Sequence, residues 1–272
     1  MARELRFERD GVRLAGIDFG GTGPPILLLH GLAGYAGEWT DTASWLCERA
    51  RVLALDARGH GNSERFPSDV SQPAHVADAA FAVELVAREQ VVVIGQSLGG
   101  LTALLLAAER PDLVRAVVLV EAGPGEDEDA SRREARVAEV GDALRRWPVP
   151  FSSREAAVKF FGGPSPAATA WATGLEQRTD GWWPRHDIEV MERTLREATG
   201  HSYWDAWQRI SRPTLVVRAG DGSLSVGEAK AMADRGHDVR LVEVAHAKHD
   251  VHLDRPEEWR SALTEFLDSL DT

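Results

Sequence analysis

Gly95-Gln96-Ser97-Leu98-Gly99 is a G-x-S-x-G pentapeptide. It lies between an apolar run ending at Ile94 and a helical pattern starting near Leu98, the strand–turn–helix placement that an exposed nucleophilic serine requires. The reason is steric. A serine on such a turn has a strained backbone, and the residues two positions to either side approach closely, so glycine stands at both. The turn would lift the hydroxyl clear of the sheet at the carboxyl ends of the strands, where open parallel sheets bind ligands. The Leu98 N–H, at the start of the helix, is then placed to bind an oxyanion. A serine hydroxyl is a weak nucleophile and needs an adjacent base. His246, His249 and His252 follow the last apolar run and can supply one. Their H-x-x-H-x-x-H spacing could also gather metal ligands, but no cysteine or partner motif accompanies it, and no metal is expected.

These residues need a scaffold that brings strand ends together. The first half alternates short β-branched runs with helical patterns. Leu5–Arg9 and Val12–Asp18 flank the turn signal Asp10-Gly11. Strands are then predicted at Ile26–Leu29, Val52–Leu55, Val91–Ile94 and Val114–Val120. Helices are predicted over about 38–50, 71–88 and 98–110. The runs are continuous rather than alternating, so both faces should be buried, as in a parallel sheet covered by helices on each side. From about 123 to 211 the strand rhythm stops, and the chain reads as helices broken at Pro148, Pro150, Pro164, Pro166 and Pro184. The rhythm resumes with strands at Thr214–Arg218 and Val239–Val244 and helices over 225–235 and 256–270. The predicted organisation is a discontinuous α/β core, 1–122 and 212–272, with a helical insertion at 123–211 forming a lid over Ser97. Trp182 and Trp183, among the six of nine tryptophans inside the insertion, are candidates to line a substrate pocket or to form the insertion's own small core.

Four motifs in order resemble the α/β-hydrolase superfamily, in its serine-nucleophile branch with a helical cap. They are His30-Gly31 after the third apolar run, Asp56-Ala-Arg-Gly-His-Gly-Asn-Ser63, the pentapeptide around Ser97, and His249-Asp-Val-His-Leu-Asp254-Arg-Pro256. The resemblance implies an α/β-hydrolase fold: a mostly parallel twisted sheet, helices on both faces and a cap. It implies that the Leu32 N–H is a second oxyanion donor and that His249 is the base. The family usually has Gly before this His, and here it is Lys248. The third triad member, which orients the imidazole, usually comes from the loop after the strand at Thr214–Arg218. Asp221 is the only carboxylate there and is the expected acid, with Glu121, just after the Val114–Val120 strand, as the alternative. In the loop form with two spaced acids, Ser223 stands where the second would be.

The resemblance further implies hydrolysis of a carboxylic ester or lactone through an acyl-enzyme, with no cofactor. A serine at the turn argues against the dehalogenase and epoxide-hydrolase relatives, which use Asp there. Gln96, where the C–C bond hydrolases commonly have Asn, argues modestly against those. A non-catalytic, receptor-like ligand-binding protein on the same scaffold is the alternative from another class. Asp56, Arg58 and His60 read as a hydrogen-bonded turn rather than a substrate contact. Cys47 reads as a helix-face residue.

Composition narrows the partners. The 272 residues carry 31 Lys+Arg against 43 Asp+Glu, a net charge of −12 with no basic run, which disfavours nucleic acid and anionic membranes. One cysteine excludes an internal disulfide and a Cys-based zinc site. The amino-terminal residues lack an apolar signal region, and no stretch is long enough to span a bilayer, so a cytoplasmic protein acting on a small-molecule substrate is expected. The oligomeric state is not legible.

Overall fold

The computed structural model describes residues 2–270, so the expected core limits at 1 and 272 lie outside the described residues. The chain opens with β1 (Arg3–Arg9), β2 (Val12–Gly20) and β3 (Pro25–Leu29). A 3-10 turn, Ala36–Trp39, leads into α1 (Thr40–Leu46), β4 (Arg51–Asp56) and α2 (Gln72–Ala82), which runs on into a π-helical turn at Val83–Ala87. Then come β5 (Val91–Gln96), α3 (Leu98–Glu109) and β6 (Val114–Val120). The segment after β6 holds α4 (Ala130–Arg145), α5 (Arg154–Phe160), α6 (Pro166–Thr173), a small hairpin of β7 (Glu176–Arg178) and β8 (Gly181–Trp183), α7 (Ile188–Ala198) and α8 (Trp204–Arg209). The chain closes with β9 (Thr214–Ala219), α9 (Val226–Arg235), β10 (Val239–Val244), α10 (Val251–Asp254) and α11 (Pro256–Ser269).

Eight strands form one sheet in the order β1-β2-β4-β3-β5-β6-β9-β10. β1 and β2 pair antiparallel, β2 meets β4 antiparallel, and every pair from β4 to β10 is parallel. The continuous Val/Leu/Ile runs of β3, β5 and β6 are buried throughout because helices cover both faces. One face packs Leu27, Val93, Val117 and Val216 against α2, α3, α8 and α9. The other packs Ile26, Val92, Val118 and Leu215 against α1 and α11, with Trp39 and Trp259 at its centre.

Between β6 and β9 the chain adds no strand to this sheet. α5 and α6 share a cluster of Phe151, Ala157, Ala172 and Leu175. α4 pairs with α7. α8 does not belong with them. Its Ala206 and Trp207, and Ile210 after it, are buried in the main core against α3. The chain thus returns to the core before residue 204, ahead of the expected boundary at 211. No helix of the described residues is long and apolar enough to cross a membrane.

Candidate active site

Ser97 stands between β5 and α3 with φ 51° and ψ −114°, a left-handed backbone rare for a side-chain-bearing residue. The flanking glycines are required by close approach. A Cβ on Gly95 would meet the Gly99 carbonyl oxygen at 2.1 Å, and one on Gly99 would meet the Leu29 and His30 oxygens at 2.3 and 2.6 Å. The turn is thus wedged against the end of β3. Gly31 closes the other side, where a Cβ would lie 3.4 Å from Ser97 Cβ and 2.0 Å from Gln96 Oε1. Among the described residues, the amides of Leu32 and Leu98 donate to no protein acceptor. Both residues line a cleft of about 400 Å³ with Ser97 and Glu121.

His249 follows β10. Its loop is pinned by the Lys248 N–H, which donates to Asp254 Oδ2 at 2.7 Å, so the Asp five residues after the His anchors the approach. The left-handed residue here is His246, φ 57°, while Lys248 has no positive φ, which explains why Lys is accommodated where the family has Gly. His249 Nδ1 lies 3.0 Å from Ser223 Oγ and 3.3 Å from Glu121 Oε2.

The carboxylate beside His249 is therefore Glu121, and the expectation of Asp221 is corrected. Asp221 is exposed. Its backbone N–H is bound to the Ala247 oxygen at 2.9 Å, while its carboxylate holds no hydrogen bond or ion pair among the described residues. Glu121, by contrast, has a fully buried side chain. It accepts from the amides of Ala219 (2.7 Å), Ser223 (2.5 Å) and Leu224 (3.2 Å) and from Ser223 Oγ at 3.2 Å. The β9–α9 loop thus wraps around the Glu121 carboxylate. Gly222 is needed because a Cβ there would meet Glu121 Oε2 at 2.2 Å. Burial pushes the Glu121 pKa up, but the hydrogen bonds from His249 and the three amides outweigh it and hold the carboxyl below its ordinary value. The amides of Ala219, Ser223 and Leu224 converge on the Glu121 carboxylate and on no other among the described residues. β6, which Glu121 follows, is the direct neighbour of β5, and β9 lies next to β6. Ser223, which shares Nδ1 with Glu121, was visible in the sequence only as a hydroxyl where a second acid could stand.

Trp182 and Trp183 do not line this cleft. Trp182 packs on the Phe151 cluster with the Arg154 guanidinium 4.4 Å over its ring. Trp183 Nε1 bonds Asp180 Oδ1 at 2.9 Å, and Arg178 lies over its ring. The walls facing Ser97 come instead from α4 and α7, through Arg136, Leu195 and Ala198.

The remaining candidates do not line the cleft. Asp56 accepts from the Ala36 and Asn62 amides at 2.6 and 2.9 Å, and Arg58 is buried in a bidentate pair with Asp78 at 2.7 and 2.8 Å. His252 is buried, stacked on Trp39 at 4.0 Å and 3.3 Å from Glu38 Oε1. Burial pushes the His252 pKa down to about 4 and that of Glu38 up to about 8. His246 is exposed. The described residues offer no group of three or more His, Cys, Asp or Glu that could hold a metal ion. Cys47 is half-buried, its Sγ 3.6 Å from the Gly20 oxygen, and burial raises its pKa.

Chemically, this arrangement offers a serine on a strained turn, two free amides beside it, and an imidazole whose Nδ1 faces a buried carboxylate. Comparison with known proteins agrees with the fold that carries it. Residues 24–256 match the family model for the alpha/beta hydrolase fold. The chain is 29% identical over 257 residues to 2-(acetamidomethylene)succinate hydrolase of Mesorhizobium japonicum, covering 92% of this chain and 90% of the relative. It is 29% identical over 259 residues to the pimeloyl-[acyl-carrier protein] methyl ester esterase of Chromobacterium violaceum, covering 92% and 96%. The crystal structure of E-2-(acetamidomethylene)succinate hydrolase superposes with a TM-score of 0.88 at 25% identity, covering 98% of this chain and 100% of that one. The chain belongs to the alpha/beta hydrolase fold family.

Proposed function

We propose that this protein is a serine hydrolase that cleaves a carboxylic ester or lactone through an acyl-enzyme, with Ser97, His249 and Glu121 as its triad. Ser97 Oγ attacks the carbonyl carbon while His249 accepts its proton. The imidazolium that forms is stabilised through Nδ1 by the ionised Glu121 and by Ser223 Oγ. The Leu32 and Leu98 amides hold the negative oxygen of the tetrahedral intermediate. Collapse expels the alcohol, protonated by His249, and a water activated by the same imidazole then releases the acid and restores Ser97. The observation that carries this reading is the common cleft of Ser97, Leu32, Leu98 and Glu121, with His249 held on Glu121.

The insertion acts as a lid in this scheme, because α4 and α7 supply the cleft wall opposite the sheet. Charge narrows the acyl group. The outer cleft carries Glu126, Glu128 and Glu228, and its one arginine, Arg136, is already paired with Glu128. An anionic acyl group, such as the succinate in the name of the Mesorhizobium relative, would face these carboxylates, so an uncharged acyl chain is favoured.

Ser97→Ala tests the nucleophile. With a short p-nitrophenyl ester, kcat/KM is expected to fall on the order of 10³-fold or more, and labelling by a fluorophosphonate probe is expected to vanish. Turnover that survives the substitution overturns the mechanism. Folded wild-type protein that takes no label at Ser97 favours a binding protein instead.

A further inference from the structure

The residue before the nucleophile and the residue after the base are joined to each other, and the latter is joined to the insertion. Gln96 Nε2 donates to the His249 backbone oxygen at 3.1 Å and to Asp250 Oδ1 at 3.3 Å. The other Asp250 oxygen, Oδ2, accepts from Trp171 Nε1 at 3.2 Å, and Trp171 lies on α6 of the insertion. The same helix is seated on the other side of the site. Tyr35 Oη donates to the Ala170 oxygen at 3.1 Å, and Tyr35 follows the Gly31–Leu32 turn that carries a free amide. The Gln96 amide itself lies against Gly31. One turn of α6 thus holds the segment bearing His249 and the segment bearing Leu32 together.

We propose that Trp171, Asp250 and Gln96 form a positioning bridge, through which the seating of α6 on the core sets the placement of His249 between Ser97 and Glu121. The proposal rests on the reading of Ser97 and His249 as nucleophile and base. Its physical content is an anchor count. The His249 backbone is fixed behind by Lys248 on Asp254 and ahead by Gln96 on its own carbonyl. Gln96 is buried, and Asp250 is its only partner besides His249 among the described residues. A carboxylate at 250 can accept from two neutral donors on separate oxygens, which an amide cannot do. Removing the Trp171 donor frees Asp250 to turn and loosens the forward anchor. A shift of about 1 Å in a reacting group costs on the order of 10²-fold in rate, so a partial loosening is expected to cost about tenfold.

The bridge is tested by Trp171→Phe, Asp250→Ala, Asp250→Asn and the Trp171→Phe/Asp250→Ala double variant. Trp171→Phe keeps an aromatic ring towards Trp147 and Phe161 and removes the N–H together with part of the indole. The expected result is a drop in kcat of about tenfold for Trp171→Phe and for Asp250→Ala. KM is expected to stay within about twofold and Tm to be nearly unchanged, and the fluorophosphonate labelling rate should fall in parallel with kcat. The double variant should be no slower than Asp250→Ala alone, because both cut one bridge. Asp250→Asn, which keeps one acceptor, should recover part of the rate. Three results overturn the bridge: kcat and labelling that remain near wild type in Trp171→Phe, losses that multiply in the double variant, or a loss that appears in Tm and KM and not in kcat. Ser97→Ala, run beside these, separates the two claims. If it retains turnover, the nucleophile reading fails; if it is inactive while Trp171→Phe is unaffected, the bridge alone fails.

Discussion

The main sheet and the insertion are built by different physics. Both faces of the sheet are covered, and residues such as Leu28, Val93, Val118 and Leu215 are inaccessible to solvent. The insertion has a thin cluster of Phe151, Ala157, Ala172 and Leu175, fringed by half-buried aromatics such as Trp147, Phe161 and Trp182. α4 buries only Val137 and Gly141 along its sixteen residues. The insertion attaches to the sheet domain through a small apolar cluster, Val190, Met191 and Leu144 against Val70, Leu32 and Ala33, and through polar contacts: Arg65 to the Pro184 and His186 oxygens, Arg193 to the Ser68 oxygen, Arg185 to Asn62, and Trp171 to Asp250. Apolar burial fixes one well-packed arrangement, whereas directional polar contacts can be exchanged for water at small net cost. The proposed nucleophile and base sit on the sheet domain, and the cleft wall from α4 and α7 sits on the insertion.

The sharpest way to break this contrast is to damage each part alone. In the sheet domain, Arg58→Ala strips one partner from the buried Asp78, whose side chain is 2% exposed. A loss of about 3 kcal/mol is expected in urea unfolding, felt by the whole chain. In the insertion, Trp182→Ala removes a half-buried ring and its contact with Arg154. A smaller loss of about 1–2 kcal/mol is expected. It should be confined to faster amide exchange in α5, α6 and the β7–β8 hairpin, with Ser97 labelling retained. If Trp182→Ala unfolds the sheet as well, the two parts are one cooperative unit and the contrast fails.

A pH-dependent effect lies at the seam, where Glu38 sits beneath Tyr35. Burial raises the Glu38 pKa from 4.5 to about 8. The folded chain therefore holds a proton through that window which the unfolded chain has released. By linkage, the contribution of this group to stability falls as pH rises between those two values. Glu38→Gln cannot release a proton. Its Tm is expected to gain on wild type as pH is raised from 5 to 9, and parallel Tm curves would show that Glu38 titrates normally.

Most of the sheet was legible because its strands are unbroken apolar runs with β-branched residues, closed by turn residues. The glycines around Ser97 were legible because close approach leaves no other residue type. The π-helical end of α2 and the four-residue α10 were not, since neither disturbs the periodicity of its neighbours. The β7–β8 hairpin carried a signal, Asp180-Gly181 before two tryptophans, but its strands of three residues are too short to show alternation. The tryptophans themselves were ambiguous for a physical reason: a large ring fills a small core as readily as it lines a pocket. The acid beside His249 was the hardest point. Glu121 and Asp221 both follow strands at the same edge of the sheet, and spacing along the chain does not say which one the β9–α9 loop encloses. That depends on the amides of Ala219, Ser223 and Leu224 converging on one carboxylate, a three-dimensional fact.

The most direct test of the account compares Glu121→Gln with Asp221→Asn, measuring kcat/KM on a short p-nitrophenyl ester across pH 6–9. Glu121→Gln keeps the side-chain shape, removes the charge opposite the imidazolium and permits the wrong tautomer, so a loss on the order of 10³- to 10⁴-fold is expected. Asp221→Asn changes an exposed side chain with no bond to His249 and is expected to stay within about twofold of wild type. A large loss in Asp221→Asn with activity retained in Glu121→Gln would contradict the site described here.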